Sequence, residues 1–129
     1  MNVTLASGLA VFIGAGLGAL LRWVLSLTLP VENGIAYGTL AANWMGAYLV
    51  GIAMGWLVQQ TGFSPLLRLF CMTGFLGGLT TFSTFSAESL GLIQAGRVGL
   101  ALLHSSLHLG GSLLLAAAGI WSLQAVSSS

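Results

Sequence analysis

GFLGGLTTFSTFSAE, residues 74–88, is the stretch on which the reading of this chain turns. It places three glycines, five hydroxyl residues, three phenylalanines and one acid inside a strongly apolar region. A plain membrane helix would carry leucine there. Gly77 and Gly78 weaken helix continuity, and the neighbouring Thr and Ser hydroxyls can re-satisfy backbone groups that a break sets free. Irregular backbone at membrane depth is tolerated only where protein buries it or where it lines a cavity. A break also leaves carbonyls at one helix end, suited to a cation, and amides at the next, suited to an anion. Phe82 and Phe85 are three apart and share a helix face. A ring edge is weakly positive, so two edges turned into a dry passage could hold a small anion.

The rest of the chain makes a membrane the natural setting. Of 129 residues, 57% are hydrophobic and 4% charged, and the mean hydropathy is +1.01. A soluble domain carries about 25% charged residues, so this chain cannot cover a water-facing surface. Its length fits one compact membrane domain over residues 1–129. A net charge of +1 with no basic patch argues against a nucleic-acid partner. Cys71 is the single cysteine, which excludes an intrachain disulfide. No group of ligating residues has metal-site spacing along the sequence. The first apolar stretch has no basic leader and is too long for a signal peptide, so it reads as a retained span.

Four stretches reach the roughly 20 apolar residues that a span needs. They run from about Val3 to Leu29, Ile35 to Val58, Pro65 to Ile93 and Val98 to Val126. The joints PVENG, QQTGFSP and QAGR are short and polar, so neighbouring helices run antiparallel. The expected fold is an all-α bundle of four transmembrane helices with the third broken mid-membrane. Arg22 and Arg97 fall toward one side, and Arg68 with the terminal amine toward the other. Orientation by positive charge is therefore nearly balanced. That balance suits insertion in both directions and an antiparallel homodimer. Gly14 and Gly18, and Gly46, Gly51 and Gly55, mark faces where helices approach closely.

The remaining polar residues each carry two readings. Arg22 either snorkels to the headgroups or sets positive charge at a pore mouth. Asn43 either ties helices together or donates to a dehydrated anion. Glu88, the one acid inside a span, is either a proton or cation site or lies near water. His104, His108 and Ser112 are four apart, a polar stripe that either bonds across helices or lines a pathway.

Three segments together resemble the Fluc (CrcB) fluoride channels. They are GFLGGLTTFSTFSAE, the glycine-rich GAGLGALLRW ending at the arginine and its tryptophan, and GTLAANWMGAYLVG with its asparagine. The match runs in order over nearly the whole chain. The resemblance implies a dual-topology homodimer in the inner (plasma) membrane that lets fluoride leave the cell passively through two pores. It implies a central structural sodium ion held by the backbone carbonyls of Gly77 and Thr80. It places Phe82, Phe85, Asn43, Arg22 and Ser112 along the anion pathway, with Thr81, Ser83, Thr84, His108 and Glu88 beside them. Where the family often carries a threonine one turn beyond Ser112, this chain has Ala116, a departure at the outer part of the track.

Three other readings compete. A proton-coupled multidrug transporter needs a glutamate in the first span, and there is none. An assembly subunit would explain the glycine faces but not the polar run. An intramembrane enzyme would need a nucleophile–base pair, and the sequence suggests no convincing one.

Overall fold

The computed structural model describes residues 2–59 and 64–129. Its first helix, α1 (Val3–Thr28), starts where the Asn2 side chain accepts the Thr4 N–H at 2.9 Å. Asn2 thereby satisfies one of the orphan donors of the first turn. Pro30, two residues after Thr28, cannot continue the hydrogen-bond ladder. The chain then forms a minimal hairpin of β1 (Val31–Glu32) and β2 (Ile35–Ala36). Asn33 and Gly34 sit at its turn with φ of 54° and 86°, the pair of positive φ values that a type I′ turn demands. α2 (Tyr37–Gln59) follows, starting two residues later than the apolar pattern indicates because Ile35 belongs to the hairpin.

The third helical run is built in pieces. Ser64 precedes α3 (Pro65–Arg68), with proline at its first turn where the missing N–H costs nothing. A π-helical stretch, Leu69–Leu76, leads into the short α4 (Gly77–Leu79). Thr80 and Thr81 then leave helical space, at φ −87°, ψ 152° and φ −146°, ψ 120°. Helix resumes as α5 (Phe82–Gln94). It ends in a Schellman turn in which Gly96, at φ 76°, lets Arg97 N–H reach the Leu92 carbonyl and Gly96 N–H that of Ile93. α6 (Val98–Ser127) completes the chain. Arg97 also donates to the Asn33 carbonyl at 3.0 Å, so the hairpin and the α5–α6 turn lie at the same end of the molecule.

Three helical runs among the described residues are long and apolar enough to cross a membrane: Val3–Thr28, Pro65–Gln94 and Val98–Ser127. The protein is thus a mostly helical, multi-pass membrane protein. Of the joint QQTGFSP, residues 60–63 lie outside the described residues. Large apolar side chains such as Phe12, Leu113, Leu114 and Trp121 are turned outward. Few apolar side chains are buried among the described residues; one cluster joins Ala42, Leu76 and Leu79, with Leu21, Leu25, Val50 and Phe75 against it. That balance suits lipid, where apolar burial gives little drive and close backbone packing does more.

Glycine supplies that packing. α2 lies along α6, and α1 along the π-helical stretch and α4. A Cβ at Gly51 would collide with the Ala116 carbonyl, and one at Gly119 with the Tyr48 carbonyl. On the other side of the molecule a Cβ at Gly18 would strike the Phe75 carbonyl. Polar ties reinforce the α2–α6 pair: Trp44 Nε1 donates to the Leu107 carbonyl at 2.9 Å, and Tyr48 to Ser122 at 3.1 Å.

Candidate functional site

The extended pair Thr80–Thr81 is held open by Asn43, which reaches it from α2. Asn43 Oδ1 accepts the Thr81 N–H at 2.7 Å, and Asn43 Nδ2 donates to the Thr81 carbonyl at 3.0 Å. The amide therefore takes the Thr81 N–H that a continuous helix would use, and adds a donor to the Thr81 carbonyl at the start of α5. The same Nδ2 lies 3.0 Å from His108 Nδ1. Thr81 in turn caps α5: its hydroxyl accepts the Thr84 N–H at 3.1 Å and lies 3.1 Å from Thr84 Oγ1 and 3.3 Å from Ser83 Oγ.

These diversions have a consequence one turn back. In a continuous helix the Thr81 N–H would serve the Gly77 carbonyl and the Thr84 N–H the Thr80 carbonyl. Here the first goes to Asn43 and the second to the Thr81 hydroxyl. The Gly77 and Thr80 carbonyls are left without their helical donors. The Gly78 carbonyl between them takes Arg22 Nε at 3.1 Å. Arg22 thus points inward to the carbonyl end of α4, where a cation is favoured.

A cavity of about 440 Å³ opens beside the break. Asn43, Gly77, Thr80, Thr81, Phe82, Phe85, His108 and Ser112 all contribute to its wall. Gly46 does too, at a point where a Cβ would meet the Thr80 methyl group. Phe82 and Phe85 meet edge to face, with centroids 5.5 Å apart and planes at 63°. Phe85 is 8% exposed and packs on the His108 ring at 4.8 Å, whereas Phe82 is 73% exposed. Of the residues that the resemblance places along the anion pathway, Arg22, Ser83, Thr84 and Glu88 are not on this wall, nor is His104 of the polar stripe.

Glu88 belongs to a second polar cluster. Its Oε1 accepts the Thr39 hydroxyl at 2.6 Å, and its Oε2 lies 3.1 Å from Nε2 of the fully buried His104. His104 Nδ1 lies 2.7 Å from Ser89 Oγ, which in turn is 3.2 Å from Ser105 Oγ. Thr39 and Ser89 carry no motif of their own. Thr39 does stand four residues before Asn43 and so shares its helix face. The fold also corrects the absence of metal spacing in sequence: Glu88, His104 and His108 bring one ligand atom each to within 4.8 Å of one another.

Residues 9–120 match the family model described as CrcB-like protein, Camphor Resistance (CrcB). A protein of Cupriavidus pinatubonensis named fluoride-specific ion channel FluC is 56% identical over 113 residues, which is 87% of this chain and 90% of that protein. A namesake from Cupriavidus metallidurans is 50% identical over 119 residues, 92% of this chain and 94% of its own length. Another from Aromatoleum aromaticum is 54% identical over 109 residues, 84% and 83% of the two chains. With the family model spanning the greater part of its length and relatives at or above half identity, this chain belongs to the CrcB-like family.

Proposed function

We propose that this protein is a passive, fluoride-selective channel, a transport protein and not an enzyme, that works as an antiparallel dual-topology homodimer with two pores. The observation that carries the reading is the Asn43-held break at Thr80–Thr81, opening onto a cavity walled by the Phe82–Phe85 edge pair. The relatives' printed name supplies the ion. α2, with 23 residues, is about 35 Å long and serves as the fourth span.

The chemistry fits a small hard anion. Removing its water is costly, so a pathway must offer donors and positive edges instead. Hydroxyls at Thr81, Ser83, Thr84 and Ser112 and the aromatic edges at Phe82 and Phe85 are of that kind. The exposure of Phe82 beside an irregular backbone supports a second copy: lipid cannot satisfy such backbone, and a partner can. Nearly balanced arginines support both orientations.

A structural sodium ion fits the Gly77 and Thr80 carbonyls. Both are hard oxygen donors deprived of their helical partners, one at a helix end and one in unwound backbone, the kinds of carbonyl that bind an alkali cation. Two from each of two chains would surround it. When bound, the ion supplies fixed positive charge at the dimer centre.

The physiology follows from weak-acid chemistry. Hydrogen fluoride crosses membranes neutral and dissociates in a near-neutral cytoplasm. An inside-negative potential drives the anion outward by about 2.3 kcal/mol per 100 mV, so a passive pore in the inner membrane suffices for export. The test is efflux from liposomes loaded with potassium fluoride, started with valinomycin and read by a fluoride electrode. Rapid fluoride release with little chloride release in a parallel run is expected. No release from folded, dimeric protein would refute the reading.

A further inference from the structure

Asn43 makes three contacts with one amide, and the backbone decides which atom is which. The Thr81 N–H can only donate, so the atom 2.7 Å from it is Oδ1. The Thr81 carbonyl can only accept, so the atom 3.0 Å from it is Nδ2. Nδ2 has hydrogens and no lone pair to offer. Facing it at 3.0 Å, His108 Nδ1 must accept. A neutral imidazole carries one proton, which therefore sits on Nε2. That atom is buried without a protein partner, on a residue 4% exposed.

We infer that Asn43 is a positioning residue: it locks the His108 proton onto Nε2, making His108 an N–H donor to the permeating anion and closing the Glu88–His104–His108 group to transition metals. The donor role rests on the channel reading above. The closure to metals does not.

By residue type, two histidines and a glutamate with ligand atoms within 4.8 Å would suit zinc. His104 even has Ser89 to orient its far nitrogen. A metal, however, needs a lone pair, and the locked Nε2 shows a proton. Moving that proton to Nδ1 would set N–H against N–H at Asn43. An anion asks for the opposite, a donor. Both N–H groups of Asn43 are already engaged with Thr81 and His108, so the amide has none to spare. His108 has one. Its ring packs on Phe85, which meets Phe82 edge to face, so the ring sits beside the aromatic pair and contributes to the cavity wall, with Nε2 buried behind it.

The tautomer is read directly by NMR of protein labelled with 15N at its histidines, in lipid nanodiscs, because protonated and bare ring nitrogens resonate far apart. His108 is assigned by the signals that His108→Asn removes. The wild type should show the proton on Nε2. Asn43→Asp, which can only accept, should move it to Nδ1 and make zinc an inhibitor of whatever flux remains. His108→Asn keeps an acceptor facing Asn43 but has no Nε2 proton. Its fluoride efflux should fall at least tenfold in dimeric, folded protein, and His108→Gln, which restores an N–H near the Nε2 position, should recover part of it. A wild-type proton on Nδ1 would overturn the lock. Wild-type efflux from His108→Asn would overturn the donor role, and zinc block of the wild type would overturn the closure to metals. A wild type that passes no fluoride would instead sink the channel reading and the donor role with it, while the spectrum would still decide the lock.

Discussion

Replacing Asn43 by Ala removes three hydrogen bonds at once: two to the Thr81 backbone and one to His108. Inter-helix hydrogen bonds in a membrane protein average about 0.6 kcal/mol and reach about 1.7. The two that hold Thr81 give about 1.2 kcal/mol, with a ceiling near 3.4. At about 1.4 kcal/mol per tenfold, the lower figure alone makes the clamped state of Thr81 about sevenfold less favoured. Amide exchange of residues 80–84 in nanodiscs, followed by mass spectrometry, should therefore speed up by at least that factor at Thr81. The helical interiors of α1 and α6 should stay protected. Fluoride efflux should fall in parallel, because the aromatic pair hangs on the segment that has loosened. If Asn43 were only a donor to the ion, efflux would fall while exchange at Thr81 stayed unchanged. That result would refute the clamp, and unchanged values for both would refute any role at the site.

Other perturbations probe separate parts of the account. Gly51→Val drives a side chain into the Ala116 carbonyl, which belongs to backbone and cannot step aside. Overpacking of this kind costs about 1–3 kcal/mol and should lower the thermal midpoint of the protein in detergent, whereas Gly99→Ala, with open space around it, should not. Arg22→Gln removes a charge-assisted bond to the Gly78 carbonyl worth about 1.5–3 kcal/mol. It should loosen residues 77–80 in exchange measurements more than it alters the rest of the chain. Phe85→Leu keeps apolar volume but removes the ring edge, and fluoride efflux should drop at least tenfold with the dimer intact on size-exclusion chromatography.

Much of this architecture is legible in the residues because membrane constraints are severe. The ends of α1 and α6 fall within a residue or so of the apolar pattern, since Asn2, Pro30 and Gly96 punctuate the chain unambiguously. The hairpin was available in Asn33–Gly34, yet two-residue strands are too short to alternate and the turn reads as a mere joint. The π-helical stretch, which lies against α1, left no mark in the composition. At the site, each polar residue stood out by its cost in lipid, while its partner did not. Asn43 and Thr81 are 38 residues apart, Arg22 and Gly78 are 56 apart, and nothing local links them. Glu88 and His104 were both visible, but Thr39 and Ser89, ordinary in composition, join them only through the fold.

The central claim is selective, passive passage of fluoride, and current through a planar bilayer tests it most directly. With potassium fluoride and potassium chloride on both sides in opposed tenfold gradients and equal pH, currents from the purified dimer should reverse near the fluoride equilibrium potential and need no proton gradient. Reversal near the chloride or potassium potential, or silence from protein shown to be folded and inserted, would contradict it.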